Sequence, residues 1–327
     1  MTIDDTTAVR HVPARDIPVP AHLSPEAQAM LSLPPLGDAP ASPALDDKAG
    51  WRARSAAQNE MVLAAMAPRA AKIDAVVEDR EIAGVPVFVI VPRGTPADDP
   101  RVFLDIHGGA LVMGNGECCR AMGLTSIPRT GVTTWAVDYR MPPDDPYPAP
   151  LDDCVAVYRA LLEDHDPRDV IVGGSSAGGN LAAALVLRAR DEGLPLPAAA
   201  VLLTPEVDLT ESGDSFHTNM GLDSVLTSSL MATNLLYADG HDLADPYLSP
   251  LFGDFTKGFP PTFLQAGTRD LFLSNAVRMH RALRAAGIEA ELHVLEGAPH
   301  GGFFGTAPED DELDREVRRF VDGHWRT

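Results

Sequence analysis

Apolar and polar positions follow two rhythms along this chain, and the change from one to the other marks its elements. Residues 72–82 and 85–91 carry β-branched side chains on either side of Ala83-Gly84, which predicts a hairpin. After the loop 92–100, the apolar run 102–106 reads as a buried strand. Strands and helices then alternate: helix 117–127, strand 133–137, helix 151–163, strand 170–172, helix 176–191 and strand 199–203. The rhythm lapses over 204–260, where polar, Gly- and Pro-containing stretches leave one helix, 227–237, and no strand. It resumes with strand 262–266, helix 275–286, strand 289–294 and a charged helix, 308–324. Repeated strand–helix units predict an α/β fold, a mostly parallel sheet covered on both faces.

Ahead of the first strand, Pro18, Pro20, Pro34, Pro35, Pro40 and Pro43 interrupt regular structure. Ser24-Pro25-Glu26 offers an N-cap, a proline at the first helical position and a first-turn acid for a helix to about Ser32. A second helix is expected over 47–66, carrying Trp51 and Met61. These helices cannot make a core alone, so they are expected to lie over another domain. The expected division is N-terminal cap helices at 1–70, a catalytic core at 71–203, a cap insertion at 204–260 and the rest of the core at 261–327. The two cap pieces would shape a pocket above the strand ends and exclude water from it.

Composition narrows the partners. With 327 residues, 45% hydrophobic and 22% charged, the chain fits a large globular α/β unit with an inserted piece. No run of about 18 apolar residues exists to span a membrane. The leading MTIDDTTAVRHVPARD is acidic where a secretory leader is basic and then apolar, so a cytoplasmic location is expected. Twenty-six basic against 47 acidic side chains give a net charge of −21. Such a surface repels nucleic-acid phosphate and anionic lipid and leaves neutral or cationic small molecules as partners. Cys118, Cys119 and Cys154 form neither a C-x-x-C pair nor an even disulfide set and are expected to be reduced. The histidines lack ligand spacing, and no metal or cofactor is expected.

The candidate chemistry centres on Gly174-Ser175-Ser176-Ala177-Gly178, which fits G-x-S-x-G between a predicted strand and a predicted helix. That corner projects a serine hydroxyl from the sheet edge, and the N–H of Ala177, at a helix N-terminus, can meet an oxyanion. His107-Gly108-Gly109-Ala110 follows another strand and can aim two more N–H groups at the same place. Asp270 follows strand 262–266, with Glu296 and Asp254 as rival acids, and His300 follows the last strand. Serine, acid and histidine in that chain order are the α/β-hydrolase arrangement, each just past a strand's carboxyl end. His107 is expected to brace its loop rather than carry protons.

These blocks resemble the hormone-sensitive-lipase-like branch of the α/β-hydrolases, bacterial esterase family IV. Further support comes from Asp138-Tyr139-Arg140, the run from Tyr147 to Asp153, Asp208-Leu209-Thr210 and the run from Asp245 to Pro250. The resemblance implies an eight-stranded sheet with strand two antiparallel, a helical cap, and hydrolysis of short- to medium-chain carboxylic esters or a lactone. It implies Ser176 as nucleophile, His300 as base and then acid, Asp270 orienting it, and Gly109, Ala110 and Ala177 as oxyanion donors with Gly108 shaping the loop. A homodimer through 289–294 and 308–324 also follows from it. Ala110 stands where a third glycine is usual and Ser175 where an acid is frequent. Amide or carbamate cleavage by the same residues, or a non-catalytic small-molecule-binding role, are the alternatives.

Overall fold

The structure is a computed structural model and describes residues 10–33 and 41–326. Pro34, Pro35 and Pro40 lie outside the described residues. Helices α1 (Pro25–Leu31) and α2 (Lys48–Ala70) precede the hairpin β1 (Ala75–Ile82) and β2 (Val85–Pro92). Next come β3 (Val102–Ile106), α3 (Glu117–Thr130), β4 (Thr133–Val137), α4 (Ala149–Asp164), β5 (Val170–Ser175), α5 (Ala177–Asp191) and β6 (Ala199–Leu203). Two helices interrupt the alternation, α6 (Ser215–Thr218) and α7 (Met231–Ala238), before β7 (Thr262–Gly267), α8 (Leu273–Ala285), β8 (Ala290–Leu295) and α9 (Pro308–Asp322).

The eight strands form one sheet in the order β1-β2-β4-β3-β5-β6-β7-β8. Strand β2 is antiparallel to both β1 and β4, and every other neighbouring pair is parallel. Alternate residues of the central strands feed two cores, as the two-residue period of a strand requires. Leu104, Val172, Leu202 and Leu264 face the core that α4 and α5 close, whereas Phe103, Ile171, Val201 and Phe263 meet Val317, Phe320 and Val321 of α9. Helix α5 is buried nearly all round, which explains its continuous run of alanine, leucine and valine.

The structure moves several element boundaries. Helix α2 continues four residues past 66 and through Pro68, because Arg69 in its last turn pairs with Asp314 at 2.9 Å and Ala70 is buried. Helix α7 starts at Met231 rather than 227, since the Glu211 carboxylate accepts from Leu230 N–H and Ser229 Oγ, both at 2.6 Å. Strand β5 runs on to Ser175 through Gly173 and Gly174. Ser24 caps α1 as expected, its hydroxyl accepting from Ala27 N–H at 3.1 Å. All three cysteines are buried and free of disulfides. Among the described residues, no helix is long and apolar enough to cross a membrane.

Candidate active site

Ser176 sits between β5 and α5 at φ 59°, ψ −122°, a strained conformation for a non-glycine residue. Its N–H donates to Leu203 O at 2.8 Å, and its carbonyl accepts from Asn180 and Glu206 N–H at 3.1 and 3.2 Å. The flanking glycines are imposed by crowding. A Cβ on Gly178 would run into the Ile106 carbonyl and lie 2.7 Å from that of His107, so α5 can start against the end of β3 only without one.

The sheet brings Ser176, Asp270 and His300 together. Asp270 lies three residues past β7 and is fully buried; His300 lies five past β8 and is 7% exposed. Asp270 Oδ1 accepts from Phe272 N–H at 2.8 Å and from His300 Nδ1 at 3.1 Å. With the proton on Nδ1, Nε2 is bare and accepts the Ser176 hydroxyl at 2.9 Å. The rivals do not reach this histidine: Glu296 is exposed, and exposed Asp254 caps a turn at Thr256. Burial pushes the His300 pKa down, but the charge and hydrogen bond of Asp270, joined by Asp223 and Glu206, outweigh it, and the net shift is upward from 6.5.

The loop after β3 approaches the same corner. A Cβ on Gly108 would lie 2.7 Å from Ser175 O, and Gly109 at φ 132° has the Met113 carbonyl where a Cβ would project. Ala110 and Leu111 are both left-handed, at φ 50° and 63°. Val112 and Met113 N–H both close onto Gly109 O at 3.0 Å, which fixes the turn. Ala110 packs beside Trp51 of α2, Val112, and Ala232 and Leu236 of α7, so the N-terminal helix and the stretch between β6 and β7 both touch this loop.

His107 acts as a brace. Its Nδ1–H donates to Gly108 O at 2.8 Å, its ring stacks on Tyr139 at 4.1 Å, and Tyr139 Oη donates to His107 O at 2.8 Å. Burial drives its pKa down to about 4, so the ring is neutral. His107, Cys119 and Asp138 hold potential ligand atoms within 4.8 Å of one another. Burial raises the Cys119 thiol far above its usual range, and Asp138 accepts from Gly116 N–H at 2.9 Å; this chemistry suits a hydrogen-bonded support for the loop better than a metal centre. The other sequence blocks are structural ties. Asp153 accepts from Arg140 through its backbone N–H at 2.9 Å and its guanidinium at 2.7 Å, and Asn180 donates to Glu206 O and Leu248 O at 2.7 and 2.8 Å.

Sequence reasoning missed two carboxylates beside His300, both from the stretch 204–260. Asp223 is 2% exposed and accepts from the His300 N–H at 3.3 Å. Glu206, fully buried, has its pKa pushed up to about 8 by burial, against the pull of Asn234 and His300. The legible signal was faint: Asp223 heads a turn whose Val225 N–H it accepts, a common use of aspartate.

Comparison with known proteins bears on the family and the fold. The family model described as alpha/beta hydrolase fold matches residues 103–304. An esterase of Acinetobacter venetianus is 32% identical over 204 residues, 62% of this chain and 67% of its own length. An acetyl-hydrolase of Streptomyces hygroscopicus is 37% identical over 191 residues, 58% of this chain and 64% of its own. The match thus spans about two thirds of the length of these relatives. The crystal structure of esterase E25 superposes with a TM-score of 0.88 at 35% identity, over 97% of this chain and 99% of that one. That of an esterase from the bacterial hormone-sensitive lipase family gives 0.77 at 31%, over 92% and 98%.

Proposed function

The chain belongs to the α/β-hydrolase family, in its hormone-sensitive-lipase-like branch of esterases, and on that premise we propose that it hydrolyses short- to medium-chain carboxylic esters through an acyl-enzyme on Ser176. The observation that carries this reading is the relay of 2.9 Å from Ser176 Oγ to His300 Nε2 and 3.1 Å from His300 Nδ1 to Asp270 Oδ1. His300 takes the hydroxyl proton as Oγ attacks the ester carbonyl, and Asp270 holds the tautomer and stabilises the imidazolium. The N–H groups of Gly109 and Ala110, on the loop that Gly108 shapes, and of Ala177 at the start of α5 receive the oxyanion. Protonation by His300 releases the alcohol, and water repeats the sequence on the acyl group. Helices α1 and α2 with the stretch 204–260 form the cap. Its contact with Ala110 through Trp51 and Leu236 supports a closed pocket, which suits a small neutral ester or a lactone. A cytoplasmic homodimer built on β8, the sheet's last strand, and on α9 completes the reading. Mass spectrometry after treatment with a fluorosulfonyl or organophosphate probe tests it: covalent mass on Ser176 of folded protein is expected, and an unlabelled Ser176 overturns it.

A further inference from the structure

The stretch between β6 and β7 does more than lie over the site, because one segment of it is tied to the two loops that carry the acid and the base. Ser215 of α6 accepts at its hydroxyl from Ser274 N–H and donates at its N–H to Ser274 Oγ, each at 2.9 Å. Asn219 Nδ2 donates to Asp270 O at 2.9 Å and to Thr268 O at 3.1 Å. Phe216 packs on Phe272 at 5.7 Å, and Phe272 meets the His300 ring edge-on at 4.8 Å.

Asp223 ends this segment, and its two oxygens divide their work. Oδ1 accepts from Val225 and Leu226 N–H at 2.9 and 3.1 Å, which fixes the carboxylate in its own turn. The same oxygen accepts from the His300 N–H at 3.3 Å, while Oδ2 accepts at 3.0 Å from the N–H of Leu271, next to Asp270. One buried carboxylate therefore spans the loops after β7 and β8, whose relative position sets the Asp270–His300 contact. We propose that Asp223 is a positioning residue for the triad: it fixes Asp270 and His300 against each other and adds negative charge beside the imidazole. The assignment rests on the esterase reading above.

Two consequences separate this role from mere stabilisation. Position matters because a misplacement of about 1 Å can cost on the order of 10²-fold in rate. Charge matters because His300 is faced by Asp270 from the loop after β7 and by Asp223, whose negative charges raise its pKa, and by Glu206 from the stretch after β6. Burial pushes the Glu206 pKa up to about 8, so its carboxyl is neutral where the acid limb falls, and that limb reports on His300 alone.

The test uses p-nitrophenyl acetate, with kcat counted per Ser176 labelled by the fluorosulfonyl probe so that unfolded protein drops out. Asp223→Asn puts an amide against the Leu271 N–H or the His300 N–H and removes the charge. The expected result is a fall in kcat of about 10- to 100-fold with KM within about threefold. The acid limb of kcat/KM should also move to lower pH by about half a unit, since a negative charge has left the imidazole's surroundings. Asp223→Glu keeps the charge but displaces its oxygens, so kcat should fall with the acid limb close to the wild-type position. Should Asp223→Asn fail to fold, the Glu variant decides on kcat per labelled site. Wild-type kcat per labelled site and an unmoved acid limb, with only a lower Tm, overturn the assignment. An unlabelled wild-type Ser176 instead brings down the esterase reading beneath it.

Discussion

The corner at Ser176 and the segment from α6 to Asp223 surround the same imidazole, yet they are built by opposite means. At the corner, backbone crowding does the work: Gly178 lies against the end of β3, Gly108 against Ser175 O, and Ser176 is held at φ 59°. In the segment, side chains capture backbone groups far away in sequence, as Asp223 does with Leu271 and His300 and Asn219 with Thr268 and Asp270. A steric corner leaves a short, fixed motif, because only small residues fit. A hydrogen-bonded clamp leaves almost none, because an aspartate or asparagine with distant partners looks like any other loop residue.

The difference should appear in how activity and stability separate. The largest effect belongs to the corner: Ser176→Ala removes the hydroxyl whose bond is to His300 Nε2, and kcat should fall on the order of 10⁶-fold while the melting temperature stays close to wild type. A residual rate within about a hundredfold of wild type would show that another group attacks the ester. Asp270→Asn comes next, on the order of 10⁴ in kcat, because an amide admits the wrong His300 tautomer. If that variant stays near wild type while Glu296→Gln is dead, the acid is misassigned. The same relay fixes the sign of the pH dependence. The base must be neutral, and the His300 pKa is raised above 6.5, so activity should be lost as pH falls from a point above that of an ordinary histidine. A half-maximal acid limb below 6.5 would contradict the carboxylate surroundings.

The legibility of the sequence divides along the same line. Ser176, the glycines around it and the loop at His107 were readable because their constraints are local, and Asp270 and His300 because each follows a strand end in a fixed chain order. Asp223 was not, since its partners lie 48 and 77 positions away. The passage of α2 through Pro68 escaped for the same reason: Arg69 is anchored by Asp314, 245 positions on. The start of α7 depended on Glu211, 19 positions before Leu230. Glu206 was hidden differently, for nothing in Pro205-Glu206-Val207 says that this carboxylate is sealed inside the protein.

Ala110 lies where the two kinds of construction meet, on the crowded loop and against Trp51 of α2 and Leu236 of α7. At φ 50° it already occupies a left-handed position, so a β-branched side chain there is strained and can turn the N–H away. Ala110→Val should lose roughly 10² to 10³ in kcat with little change in KM, because an oxyanion contact forms in the transition state. Ala110→Gly removes the strain and should keep kcat within about tenfold. A rise in KM alone, limited to bulky esters, would make Ala110 pocket wall and move the donor elsewhere in the loop.

The smallest effect on turnover is expected at Glu206, where the comparison turns from activity to stability. Its carboxyl is fully buried and its pKa is pushed from 4.5 to about 8, chiefly by loss of solvent. Between those two values the unfolded chain has released the proton and the folded one still holds it. Folding therefore binds a proton in that window, and stability falls as pH rises through it. By pH 8 to 9 the cost is on the order of a few kcal/mol, and above the folded pKa it stays at that level. Glu206→Gln keeps the shape, has no proton to lose and should leave kcat within about tenfold, since Ser176, His300 and Asp270 do not hydrogen-bond to its side chain. Its Tm advantage over wild type should then be small near pH 5 and grow by several degrees toward pH 8.5. Parallel Tm curves for the two proteins across that range would mean that Glu206 does not titrate there and that burial is offset by partners the fold supplies.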